Sequence, residues 1–108
     1  MIKTTTEQRR DIYEQAIRFL QDPDRDGFPT GLCIILANIL ITGDPKNQAG
    51  YLEAEWFGWG YNFKQQFPEL KRFDYPGIGI WNNGDRIRML KVAIEECDSI
   101  SPRLTAPV

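Results

Sequence analysis

The chain has no histidine in its 108 residues. That removes the commonest general acid–base group near neutral pH and the commonest zinc ligand. Cysteine is scarce as well: Cys33 and Cys97 stand far apart, without CxxC spacing. Both fall on apolar helical faces, which predicts reduced core thiols, with a long-range disulfide as the alternative. Neither sign of charge dominates. The net charge is −2, so no whole-chain field draws the protein to nucleic acid or to an anionic membrane. Long apolar runs are missing too. The longest uncharged stretch ends at Gly43 and includes Pro29, Thr30 and Asn38, too short and too mixed for a bilayer span. The opening Met-Ile-Lys-Thr-Thr-Thr lacks the apolar segment of a signal peptide. A cytosolic protein with no membrane partner is the expectation.

Catalytic patterns are also missing. No glycine run has P-loop form with its lysine, and no Ser or Cys has a histidine to activate it. The carboxylate pairs Glu53/Glu55 and Glu95/Glu96 are not spaced at i, i+3 or i+4, so neither pair shares a helix face. The residues therefore favour a binding protein over an enzyme, for which they offer no support.

Aromatic side chains are abundant and unevenly placed. Ten of the thirteen lie between Tyr51 and Trp81, including all three tryptophans. A small domain needs few large rings to fill its core, so the surplus suggests rings that face a ligand or a partner. Residues 62–91 also carry six Lys/Arg against three Asp/Glu, a local +3 between acidic flanks.

Periodicity predicts a mainly α protein: a small single-domain bundle of four to five helices with an irregular aromatic-rich segment. Thr4 and Glu7 have capping-box spacing. A helix then runs to about Leu20, with Ile12, Tyr13, Ala16, Ile17, Phe19 and Leu20 on its apolar side. A loop through Pro23, Gly27 and Pro29 leads to a second helix from Thr30 or Gly31. This helix is apolar nearly all round through Leu32, Ile35, Leu36, Ile39 and Leu40, so it is the expected central element. Asn38 inside it must find hydrogen bonds. Asn47 can cap a helix to about Phe57. A short helix over Tyr61–Phe67 stops at Pro68, and an irregular stretch follows, with turns at Tyr75-Pro76-Gly77 and Asn82-Asn83-Gly84. Asp85 is the expected cap of a last helix to about Cys97, with Ile87, Leu90, Ala93, Ile94 and Cys97 on its stripe. Residues 1–98 form the expected domain and residues 99–108 a mobile tail.

Two segments are candidate sites. Asp22-Pro23-Asp24-Arg25-Asp26-Gly27 has the DxDxDG form in which Asp22, Asp24 and Asp26 converge on calcium. The twelfth position, however, is Cys33 where a bidentate Glu belongs, and the eighth is Pro29. Half of the ligand set is missing, and a solvated connection rich in turn-forming Asp accounts for the same residues. Calcium is the sole cofactor the sequence suggests.

The second segment is the aromatic and basic centre. Trp56, Trp59, Tyr61 and Trp81 adjoin glycines or turns, and a ring stacked on a base is worth about 1–3 kcal/mol. Arg72, Arg86 and Arg88 offer guanidinium forks suited to phosphate oxygens. Together they suggest a pocket for a small anionic ring compound such as a nucleotide, or a hot spot for another protein or a second copy of the chain. Phe63, Phe67 and Phe73 read as core.

An early helix, Gly31-Leu32-Cys33, Phe67-Pro68-Glu69-Leu70, and Trp81 before a closing helix with Arg86 and Leu90 form an arrangement that resembles small accessory proteins of tailed bacteriophages infecting gut bacteria. The resemblance carries over no catalytic or binding residue. It implies a non-essential, non-virion role in the host cytosol, such as counter-defence by sequestering an immune nucleotide or blocking a host protein.

Overall fold

Thr5 starts the first helix with a reciprocal pair of bonds. Its hydroxyl accepts the Gln8 N–H at 3.1 Å, and the Gln8 side-chain oxygen accepts the Thr5 N–H at 2.8 Å. This is a capping box, one residue later than the expected Thr4–Glu7 pair. The shift has a cause. The Thr4 carbonyl and hydroxyl accept from Arg9 at 2.8 and 3.3 Å, while the Glu7 carboxylate faces Arg10 at 3.7 Å. Helix α1 spans Thr6–Gln21. The computed structural model describes residues 3–22, 31–47, 61–73 and 82–102.

Helix α2, Leu32–Thr42, begins at Gly31 without a side-chain cap and ends at Gly43 in the left-handed region, φ 78°. The Gly43 N–H donates to the Ile39 carbonyl at 2.8 Å, which satisfies an end carbonyl of the helix. A Cβ at position 43 would meet no neighbouring atom, so the demand for glycine there comes from the backbone angle alone. Leu32, Ile35, Leu36 and Ile39 are buried, and so is Asn38. The expectation that Asn38 finds hydrogen bonds is met by half: Nδ2 donates to the Pro45 carbonyl at 3.1 Å, while the buried Oδ1 has no partner among the described residues. The Nδ2 bond pins the turn after α2 to the helix.

Helix α3, Tyr61–Gln66, stops at Phe67, and Pro68–Leu70 forms a single 3-10 turn. Proline opens this turn where its missing N–H costs nothing. Phe63 and Phe67 are core rings, with centroids 5.1 Å apart. Phe73 is half-buried against the core.

Helix α4 is Asn83–Ile100. Its cap is Asn82 and not Asp85: the Asn82 side-chain oxygen accepts the Asp85 N–H at 2.8 Å. Asn82 is extended and Asn83 and Gly84 are already helical, which leaves Asp85 inside the first turn. There its charge suits the helix dipole. The buried stripe is Arg86, Met89, Leu90, Ala93 and Cys97, with Ile87 and Ile94 partly covered. The helix runs past the expected end near Cys97 because Arg10 of α1 holds its last turn. Arg10 Nη1 donates to Asp98 Oδ1 and to the Ser101 carbonyl, each at 2.8 Å.

The described residues contain four α-helices and no strand, a mainly helical fold as expected. Helix α1 packs chiefly on α4 and also on α2, and the 3-10 turn packs on α4. The expected helix over residues 48–57 and the turn at residues 75–77 lie outside the described residues, as does the tail beyond residue 102.

Candidate functional site

One face of α4 carries Asp85, Arg88, Met89 and Val92, at positions i, i+3, i+4 and i+7. Phe73, three residues beyond the 3-10 turn, stands opposite. These five residues line an open groove of about 490 Å³, a volume that suits one small ligand. The Arg88 guanidinium is exposed and forms an ion pair with Asp85 one turn earlier. The Arg72 guanidinium carbon lies 5.8 Å from the Phe73 ring centroid, within cation–π range. Its Nη1 is 3.8 Å from Glu96 Oε2 on α4. The groove is therefore mixed: an apolar lining of Phe73, Met89 and Val92, with paired charges of both signs beside it.

The predicted site residues divide accordingly. Arg88 lies in the groove, and Arg72 lies beside its Phe73 wall. Arg86 does not join them. It is two residues from Arg88 and so turns to another side of the helix, where it is buried at 6% exposure and donates to Asn83 Oδ1 at 3.3 Å. Tyr61 opens α3, but its side chain lies outside the described residues. Trp56, Trp59 and Trp81 lie outside them as well.

In the acidic loop, Asp24 and Asp26 also fall outside the described residues. Asp22 caps the end of α1 and shares a groove of about 240 Å³ with Arg18 and Lys46. Among the described residues no group of three His, Cys, Asp or Glu side chains is placed to hold a metal. No described helix is long and apolar enough to cross a membrane.

A second polar cluster was not legible in the sequence. Glu69, in the 3-10 turn, is only 3% exposed. Arg9 of α1 grips it with two parallel bonds, Nε to Oε1 at 2.8 Å and Nη2 to Oε2 at 2.9 Å. Tyr13, one turn further along α1, donates its hydroxyl to Oε1 at 2.7 Å. Burial pushes the Glu69 carboxyl up, but the bonds from Arg9 and Tyr13 outweigh it and hold the group below its ordinary range. Burial, and then the Glu69 charge, pushes the Tyr13 phenol far above its usual value. The same two causes push the buried Cys97 thiol on α4 up to about 12. The hydrogen bond to Glu69 raises Arg9 further.

Thus the carboxylate stays ionised and the phenol stays neutral across the ordinary pH range. The three side chains tie the 3-10 turn to α1. The members of the cluster are 56 and 60 residues apart in sequence, and a lone Glu after Phe-Pro looks like any surface charge. No family model matches the chain, and comparison with curated proteins and with solved structures returned no match either.

Proposed function

We propose that the protein is a non-enzymatic binding protein whose groove between Phe73 and the first half of α4 takes a small anionic ring compound, such as a nucleotide. The observation that carries this reading is the juxtaposition of one aromatic wall with two guanidiniums, Arg88 in the groove and Arg72 over the Phe73 ring. A planar base can pack on the ring and phosphate oxygens can draw on the arginines. The ion pair of Arg88 with Asp85 is exposed and worth only about 0–1 kcal/mol, so a phosphate can displace the carboxylate. The resemblance to phage accessory proteins suggests an immune nucleotide of the host as the natural ligand.

Isothermal titration against cyclic and ADP-ribose-derived nucleotides tests this reading. Binding that weakens about tenfold or more in Phe73→Ala, as loss of stacking predicts, supports it. A folded protein that binds none of them at micromolar concentration sinks it.

A second reading has its own observation. Arg88 in the groove and Arg72 beside it already face carboxylates, Asp85 and Glu96, so the rim carries both signs around an apolar lining. Protein hot spots often have that composition. A partner captured from host lysate by the wild type and lost with Phe73→Ala, in a protein that binds no nucleotide, favours this reading. Native mass spectrometry of the purified protein reports a second copy or a retained ligand in one measurement.

A further inference from the structure

We infer that Glu69 is a positioning residue for the groove: its bonds to Arg9 and Tyr13 on α1 orient the 3-10 turn, and the turn delivers Phe73 to α4. The inference rests on the reading of the groove as the binding site, but it makes a claim about the fold that needs no ligand.

The chain of contacts is continuous. The Phe67 N–H donates to the Phe63 carbonyl at 2.9 Å, Leu70 to Phe67 at 3.0 Å, Lys71 to Pro68 at 3.1 Å and Phe73 to Leu70 at 3.2 Å. Phe73 thus belongs to a hydrogen-bonded run that begins in α3. Phe63, Phe67 and Leu70 hold this run down by burial, but burial is non-directional and leaves rotation and sliding poorly defined. The two-point grip of Arg9 and the bond from Tyr13 are directional. Both come from α1, which is itself packed on α4. Glu69 therefore refers the turn to the same scaffold that carries the other groove wall.

The position of Glu69 makes this a specific device. A shift of the turn by one residue would take the carboxylate away from Arg9 and leave a buried charge without that partner, which is strongly disfavoured. The same shift would move Phe73 off the α4 face. The cluster thus penalises the wrong placements of the wall.

Hydrogen exchange of individual amides tests the inference without any ligand. In Glu69→Gln, exchange at Lys71 and Phe73 should rise about tenfold or more, while Ala16, Leu90 and Ala93 in α1 and α4 change far less. Tyr13→Phe keeps the Arg9–Glu69 pair and should give a smaller rise at the same two amides. It carries the test if Glu69→Gln does not fold. Unchanged exchange at Lys71 and Phe73 overturns the inference. So does an equal rise at all five amides, because Glu69 would then support only global stability. Nucleotide titration of the wild type tests the binding reading separately, so failure of one does not mimic failure of the other.

Discussion

Tyr13 donates its hydroxyl to Glu69 Oε1 at 2.7 Å, joining α1 to a turn 56 residues later in the chain. The Tyr13 ring also lies 6.0 Å, centroid to centroid, from Phe67. Tyr13→Phe keeps that packing and removes one donor from a buried carboxylate. A hydrogen bond to a charged group is worth about 1.5–3 kcal/mol, and urea unfolding should show a loss of that size with an unchanged slope. A loss below a few tenths of a kcal/mol would mean that the bond contributes nothing net.

Arg9→Ala and Arg88→Ala remove the same type of side chain from two very different pairs. Arg9 faces a carboxylate at 3% exposure, and its own side chain is 14% exposed. Arg88 is exposed at 73%. Stranding a buried charge costs about 3–5 kcal/mol, whereas an exposed pair contributes about 0–1 kcal/mol. Denaturation should therefore place Arg9→Ala well below Arg88→Ala in stability. Equal losses would contradict the burial assigned to Glu69.

Stability should fall on both sides of neutral pH, for opposite reasons. The Glu69 carboxyl is held below its ordinary value in the fold. Its contribution is present above the unfolded value and disappears as pH falls through the folded one. Arg9→Ala should raise the folded value toward the unfolded one and so make that acid loss smaller. Tyr13 and Cys97 are raised in the fold. Their contribution is complete below the unfolded values, at about pH 8.5–10, and declines as pH rises further. Tyr13→Phe should make the alkaline decline shallower. Urea midpoints measured across the pH range check both signs.

Cys33 and Cys97 are free thiols, and both are buried. A thiol reagent should find neither in the native protein and both after denaturation without reductant. A denatured protein that still shows no reactive thiol would indicate a disulfide.

Much of the fold was legible because it depends on local rules. The apolar spacing of Ile12, Ala16, Phe19 and Leu20 specifies α1, and Gly43 marks the end of α2 because its positive φ suits glycine. Pro68 stops α3. Local rules leave the outcome open where two neighbours compete for one role. Thr4 and Thr5 both suit the first cap, and the choice falls to Thr5 because Arg9 occupies Thr4. Asn82 and Asp85 both suit the last cap, and the extended backbone at Asn82 decides it. Of the candidate arginines, local sequence could not separate Arg86 from Arg88. Two positions along a helix turn one inward and leave the other at the groove.

The sequence by itself determined a helical chain, its main breaks, and the absence of histidine-based chemistry. These follow from residue type and spacing, which act over a few positions. Only the tertiary structure decided that Glu69 is buried, that Arg9 and Tyr13 meet it, that Arg86 faces inward, and that Phe73 stands opposite Arg88. Each of those facts depends on segments tens of residues apart packing together, and no local pattern encodes that distance. The cost of an unpaired buried charge then turns the meeting of Arg9 with Glu69 into a requirement of the fold.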